Sequence, residues 1–528
     1  VSIGASSDLG LGEDRASLSE VVSLLQREIR ELYLEDGTPW ILGYSGGKDS
    51  TATLQLVWSA LADLPAELRT KAVHVISTDT LVENPIVAAW VSRSIEIMRA
   101  AAESQGMPIK PHKLTPALPD SFWVNLIGKG YPAPRHKFRW CTERLKIKPS
   151  NAFINGVVSM SGEAILVLGT RKAESSKRHA TMKKHERLRV RDRLSPNASL
   201  PGSLVYSPIE DWSNDDVWLY LMQTQNPWGY DNRALLGMYA GASADGECPL
   251  VVDSSTPSCG DSRFGCWVCT LVEQDKSMAA MIRNDEEKEW MMPLLDLRNA
   301  LDFRSDDPAN TQTDRQLRDF RRMNGSVQLM AGGRPIPGPY TQSARKDWLA
   351  KLLKAETHIR KHGPEEVREL RLISTDELQE IRRIWVIDKH EIEDCLPSIY
   401  LESTGEQYLG ASLEDGRVVG QEVVEELETL CGRDHLHFEL VRELLSQTVQ
   451  QQASSRRAGV FERIETTLSK YFYDDERDAI ERARMYAPRD RLSATGPTRN
   501  ETGNLFSGLE ELSSQSDDGS DRGVVVDP

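Results

Sequence analysis

Apolar residues recur at helical spacing between Leu18 and Tyr33, at Val21, Val22, Leu25, Ile29 and Leu32, which predicts an amphipathic helix. Gly37-Thr38-Pro39 ends it. A short apolar run, Trp40 to Tyr44, then predicts a buried strand, followed by a glycine-bearing loop and a helix over Thr51–Leu61. The order repeats. Ala72–Ile76 is predicted as a second strand ending at Ser77-Thr78-Asp79-Thr80, and Asn84-Pro85 opens a helix reaching about Glu103. Ile109–Leu114 and Ile165–Leu168 are the third and fourth strands, the last ending at Gly169-Thr170-Arg171. Ser213 to Asp216 looks like the start of a helix carrying Val217 to Leu221.

This alternation predicts an α/β fold, a parallel sheet with helices on both faces. Ligands bind such sheets beyond the carboxyl ends of the strands, and the segments 45–50, 78–80 and 169–171 all fall there. From about 273 to 480 the pattern is mostly helical and highly charged, with a break from Gly332 to Pro339. The expected organisation is therefore a helical extension (1–37), a catalytic domain (38–272), a helical C-terminal region (273–485) and an acidic tail (486–528). Residues 1–16 are expected to be flexible, and the Ser-, Gly- and acid-rich tail disordered.

Composition narrows the picture. No run of 18 apolar residues is present and no secretory pattern opens the chain, so a cytoplasmic protein with no membrane span is expected. Seven cysteines in 528 residues make no disulfide scaffold. The net charge of −16 disfavours nucleic acid as a whole, so local charge matters more than the sum. Between Arg171 and Arg193 ten Lys or Arg face only Glu174, Glu186 and Asp192. Two readings stay open for that stretch, a solvated loop or a phosphate-contacting arm.

Ser45-Gly46-Gly47-Lys48-Asp49-Ser50 is the first candidate site. Paired glycines let the backbone approach a phosphate, the start of the next helix favours an anion, Lys48 adds a positive charge, and Ser45 and Ser50 add hydroxyls. It is not the pattern G-x-x-x-x-G-K-[ST], because the glycines are adjacent and Asp49 follows the lysine. The second candidate is the set Cys248, Cys259, Cys266 and Cys269, the last two in C-x-x-C spacing. Soft sulfur donors suit zinc or an iron–sulfur cluster, and spacing alone does not separate the two.

The hexapeptide resembles the loop of the PP-loop ATP pyrophosphatase superfamily, whose members cleave ATP between the α- and β-phosphates and usually adenylate a substrate oxygen. Further stretches resemble the adenylylsulfate and phosphoadenylylsulfate reductase branch: Arg139-Trp140-Cys141-Thr142 with Leu145-Lys146-Ile147-Lys148-Pro149, Gly169-Thr170-Arg171 with Glu174-Ser175 and Arg178, Pro208 to Ser213, and Asn226-Pro227-Trp228. The resemblance covers roughly residues 38–272. It implies ATP with Mg2+ at Ser45 to Ser50, Thr78, Asp79 and Gly169, and catalytic roles for Lys48, Asp49 and Arg171, the last holding phosphate or sulfate oxygens. It also implies a [4Fe-4S] cluster on Cys141, Cys266, Cys269 and either Cys248 or Cys259, with Cys248 preferred and Cys259 left as a catalytic persulfide carrier. Two departures stand out. Trp140 replaces one cysteine of the branch's pair, and no Glu-Cys-Gly nucleophile is present, since Cys431-Gly432 follows Leu430 and Cys395 is isolated.

The run Cys248 to Asp253 and Phe264 to Val272, with the long helical region after it, resembles the DNA phosphorothioation family DndC. That resemblance implies an ATP-dependent sulfurtransferase that adenylates a DNA backbone phosphate and replaces a non-bridging oxygen by sulfur. Its implied partners are DNA, a cysteine desulfurase as sulfur donor, and DndD- and DndE-type proteins. A reductase of activated sulfate, a tRNA thiolation enzyme and a non-catalytic nucleotide- and cluster-binding scaffold are the alternatives.

Overall fold

The computed structural model describes residues 17–486, apart from 137, 192, 198, 244–263, 304–312, 331–332, 414–418, 433 and 453–458. The expectations for residues 1–16, for Cys248 and Cys259, and for the tail after 486 lie outside the described residues.

Local signals account for the element boundaries. Ser17 and Glu20 form a capping box at the start of α1 (Leu18–Glu35). After β1 (Trp40–Gly43) comes α2 (Lys48–Ala62), and after β2 (Val73–Thr78) comes α3 (Pro85–Ser104), with Asn84 as N-cap and proline in its first turn. β3 (Ile109–Leu114) leads through two π-type turns, Val124–Lys129 and Thr142–Ile147, into α4 (Lys148–Ser161). Then follow β4 (Ala164–Val167), α5 (Ser176–Glu186), β5 (Ser195–Pro196), β6 (Ser203–Tyr206), α6 (Asn214–Gln223) and α7 (Asn232–Gly241). The remaining α-helices are α8 (Lys276–Asn284), α9 (Met292–Leu301), α10 (Gln342–His362), α11 (Thr375–Arg383), α12 (Leu396–Thr404), α13 (Gln421–Cys431), α14 (His435–Gln452), α15 (Val460–Lys470) and α16 (Glu476–Tyr486).

The six strands form one sheet in the order β3-β2-β1-β4-β6-β5, parallel except for the β5–β6 pair. Trp40 on β1 pairs with Val73 on β2 and with Ile165 on β4, so β1 is central. The strand order reverses at β1: β2 and β3 lie on one side and β4 on the other. The crevice between the β1 and β4 ends is therefore the topological switch point, the usual ligand position in such sheets. The α/β expectation agrees with this sheet. The hairpin strands β5 and β6 were not foreseen.

Alternation divides the buried residues between two faces. Trp40, Leu42, Val73, Val75, Ile165 and Val167 join one core with α1, α2, α6 and α7. Ile41, Ile76, Ala164 and Leu166 join the other with Ile154 and Val157 of α4. Burying each such side chain is worth about 1.5–3 kcal/mol. A third core draws residues from both sides of position 272: Trp123, Trp140 and Leu145 pack with Trp267, Met278, Leu294, Trp348 and Trp385.

Contacts divide the chain into two compact units, 1–326 with 337–472, and 327–336 with 473–528. In the second, Leu329 bridges Pro335, and Arg484 of α16 donates to the Gly333 carbonyl at 3.3 Å. No helix among the described residues is long and apolar enough to cross a membrane.

Candidate active site at the switch point

Sequence pattern placed the start of α2 at Thr51; the helix begins at Lys48. The difference is functional in kind. Lys48, Asp49 and Ser50 form the first turn, where backbone N–H groups have no partner inside the helix. The N-cap, Gly47, offers no side chain to them, and the first ladder bond runs from Thr51 N–H to the Gly47 carbonyl at 3.0 Å. Gly46 has φ +72°, a left-handed turn, and a Cβ there would stand 2.4 Å from Val91. The loop is held by Ser45 and Ser50, whose hydroxyls lie 3.1 Å apart, and by Trp90, which donates to the Gly46 carbonyl at 3.3 Å. The residues from Ser45 to Ser50 thus form one tightly held turn leading into α2.

The end of β4 closes the other side. Gly169 lies against the first turn of α2, where a Cβ would meet the Asp49 carbonyl oxygen at 2.7 Å and Thr53 Oγ1 at 2.9 Å. Arg171 is 4 % exposed and donates from Nε to Asp49 Oδ1 at 2.6 Å and from Nη1 to the Trp212 carbonyl at 3.3 Å. Lys48 Nζ sits 3.4 Å from the other Asp49 oxygen. Asp49 is thus shared by Lys48 and Arg171. Arg171 orients the first turn, and two of its donors are already committed to protein. Arg178, quoted beside it in sequence, instead forms an exposed pair with Glu174 at 3.1 Å.

Gly169→Ala is expected to lower the thermal midpoint by overpacking, a term of about 1–3 kcal/mol. It should also slow any ATP-dependent turnover roughly 10- to 100-fold, because displacement of the Asp49 backbone misplaces Lys48. Unfolding curves and steady-state kinetics on the same preparation check this; an unchanged turnover would separate Gly169 from the site.

At the end of β2, Asp79 accepts from Lys113 at 2.8 Å and from the Leu81 backbone at 2.8 Å, while Thr78 Oγ1 lies 3.1 Å from Ser150. The segment after it carries the link to the cysteines. Glu83 bridges Cys266, the Trp267 N–H donates to the Val82 carbonyl at 3.0 Å, and Thr80 Oγ1 lies 3.3 Å from Cys266 Sγ. Cys269 N–H donates to the Cys266 carbonyl at 3.0 Å, closing the C-x-x-C turn. Burial pushes the Cys266 thiol up to about 11, against the opposing pull of Lys146 and Thr80, and raises Cys141 as well. The charges of Cys266, Glu83, Cys269 and Cys141 hold the Lys146 ammonium above its ordinary range. Cys141, Cys266 and Cys269 therefore share one neighbourhood. By donor type alone three thiols from two segments suit a thiolate-held metal centre, but their placement does not gather them around one point. Among the described residues no three His, Cys, Asp or Glu stand where they could hold one ion, and the fourth cysteine lies outside them.

Sequence reasoning passed over Tyr239. Its hydroxyl lies 3.5 Å from the Lys48 N–H, its ring lies 5.4 Å from Lys48 Nζ, and Phe264 packs edge-on against it at 4.7 Å. Phe264 precedes Gly265 and Cys266, so Lys48, Tyr239, Phe264 and Cys266 form a connected row. A lone tyrosine 191 residues from the loop carries no local signal of this. Thr80 was quoted within the segment 78–80, and Lys146 within a motif, each without a role of its own.

Residues 39–229 match the family model described as the phosphoadenosine phosphosulfate reductase domain. An uncharacterized protein of Methanocaldococcus jannaschii is 27 % identical over 200 residues, 38 % of this chain and 35 % of that protein, so the chain spans about a third of the length of this curated relative. Among solved structures, Candida glabrata FMN adenylyltransferase in complex with FAD and inorganic pyrophosphate aligns over 46 % of this chain and 68 % of that one, at 12 % identity and a TM-score of 0.26. The U34-tRNA thiolase NcsA from Methanococcus maripaludis, with its [4Fe-4S] cluster, aligns over 51 % and 80 % at 14 % identity and a TM-score of 0.25. The stretch 39–229, with its glycine loop at the sheet's switch point, is the part of the chain that is similar to the phosphoadenosine phosphosulfate reductase domain.

Proposed function

We propose that the protein is an ATP-dependent sulfurtransferase of a DNA phosphorothioation system. The observation that supports this reading is the row Lys48–Tyr239–Phe264, two residues before Cys266, which links the start of α2 to the neighbourhood of partly buried thiols. An adenylating loop beside sulfur ligands suits chemistry that replaces oxygen by sulfur.

In this reading the triphosphate lies along Ser45 to Ser50, with Mg2+ on its oxygens and Asp79 and Thr78 beside it. A non-bridging oxygen of a DNA phosphate attacks the α-phosphorus, the bond to the β-phosphate oxygen breaks, and pyrophosphate leaves. Lys48 and the N–H groups of Lys48, Asp49 and Ser50 receive the charge that develops, and Arg171 holds Asp49 so that this turn is preorganised. A persulfide delivered from a cysteine desulfurase then attacks the activated phosphorus, and AMP departs with the oxygen. A second thiol cleaves the sulfur–sulfur bond, which leaves the phosphorothioate and a disulfide. Cys259 is the assigned carrier. When bound, a [4Fe-4S] cluster on Cys141, Cys266, Cys269 and Cys248 would supply a soft site for sulfur. DndD- and DndE-type proteins are the partners in this reading.

Pyrophosphate release by anaerobically purified protein tests it, with ATP alone and then with duplex DNA, tRNA or sulfate nucleotides. Stimulation by DNA is expected; stimulation by sulfate nucleotides alone would favour the reductase reading, which the family match over 39–229 supports. Cys266→Ser is expected to lower bound iron and visible cluster absorbance while ATP binding persists. Full iron content in that variant would remove Cys266 from the ligand set.

A further inference from the structure

The basic stretch 171–193 divides into two kinds of side chain. Six of its cations have carboxylate partners. Arg171 is paired with Asp49, Arg178 with Glu174, and Arg189 with Glu210. Lys172 faces Glu186, Glu210 and Asp211; burial opposes its charge, yet these acids hold its ammonium well above the usual lysine range. Arg191 joins Asp36 and Glu163, and Arg193 joins Glu28 and Glu31. These pairs reach acids on α1, ahead of β1 and before β4, and tie both ends of the stretch to the body of the domain.

Lys183, Lys184 and Arg187 are different. All three are exposed and form no ion pair among the described residues. Their spacing, three and four apart, puts them on one face at the end of α5. The accessible apolar residues Leu188 (50 %) and Val190 (64 %) follow directly. A helix C-terminus welcomes cations, but that effect is worth only about 0.3–1 kcal/mol each and does not call for three together.

We infer that Lys183, Lys184 and Arg187 contact the phosphate backbone of a duplex nucleic acid whose reacting phosphate lies at the switch point. This rests on the DNA reading above. The helix of 11 residues is about 16 Å long and starts five residues after the Asp49-bound arginine, and a duplex presents one charge per roughly 1.7 Å of axis. A duplex stretch as long as α5 therefore carries about nine phosphates, enough to meet all three cations. The net charge of −16 does not oppose this at close range, because screening confines exposed charges to about 8 Å at physiological ionic strength.

The test is the salt dependence of equilibrium binding to duplex DNA, for the full chain and for K183Q/K184Q/R187Q, with thermal unfolding measured on both. Each phosphate contact adds about 0.9 to the slope of log affinity against log salt, so the triple variant should lose about 3 of slope; the intact protein should then weaken ~40-fold more than the variant between about 50 and 200 mM salt. K183Q/K184Q, which leaves Arg187 in place, should lose about two thirds of that slope and serves if the triple variant unfolds. DNA binding with an unchanged slope in both variants overturns the inference and leaves the functional reading standing. Binding of tRNA but not duplex DNA by the intact protein overturns both.

Discussion

Lys48→Ala is expected to slow the proposed DNA-stimulated pyrophosphate release by about 10²- to 10³-fold, the loss typical of removing one preorganised donor from a site where transition-state charge builds up. The lysine stands at the first position of α2, with its ammonium over the Tyr239 ring and 3.4 Å from Asp49. Its backbone N–H, 3.5 Å from the Tyr239 hydroxyl, is unaffected by the substitution, as are those of Asp49 and Ser50, so ATP should still bind. The deficit should therefore fall mainly on kcat and less on KM. The buried face of α2, from Leu54 to Leu61, is untouched, so the unfolding midpoint should move little. Lys48→Arg keeps the charge and should recover part of the rate. An alanine variant with wild-type kcat would remove the loop from the chemistry altogether.

Glu391→Ala is expected to cost about 3–5 kcal/mol of stability, the range for breaking one side of a buried ion pair. Glu391 and Arg345 of α10 are each about 4 % exposed at the side chain and are bonded to one another, and the guanidinium lies 5.4 Å from the Trp385 ring centroid. Removing the carboxylate leaves that guanidinium buried beside a second cation, Lys389. Burial, with the nearby Arg345, already pushes the Lys389 ammonium down to about 8, while Glu391 supports its charge. Because the folded-state value lies below that of an unfolded lysine, folding releases this proton, and stability attributable to the group rises with pH between about 8 and 10.4. Without Glu391 that release starts at lower pH. The deficit of the variant should accordingly be larger at pH 7 than at pH 9.5. Chemical denaturation at the two pH values measures it, and a pH-independent deficit would uncouple Lys389 from the pair. Replacing Arg345 and Glu391 together by apolar residues should restore most of the loss.

What could be read from the residues, and what could not, follows from the range of each signal. The unbroken apolar runs Trp40-Ile41-Leu42 and Ile165 to Leu168 mark strands of a parallel sheet, because a strand between two layers buries side chains on both faces. The start of α2 was read late because Asp49 and Ser50 are poor interior helix residues, although the first turn is where an acid is favourable. β6, only Ser203 to Tyr206, is defined by its pairing with β4 rather than by its own pattern. The cations after residue 171 could be counted in the sequence, but their acids sit far away; Arg191 reaches Asp36 across 155 residues. The same holds at the site, where the glycine loop was legible and Tyr239 was not.

The bridge between Glu83 and Cys266 joins positions 183 residues apart in the chain. During synthesis at about 5–20 residues per second, residue 83 leaves the ribosome roughly 10–40 s before residue 266. All six strands, up to Tyr206, are made before residue 266 appears, so the glycine loop and its partners on β4 can close onto one another first. The thiols then arrive at an edge that already exists. The Cys266 side of this neighbourhood is therefore the last to be completed, and a nascent chain that has not yet reached Cys266 has the glycine loop without its bridged thiol neighbour.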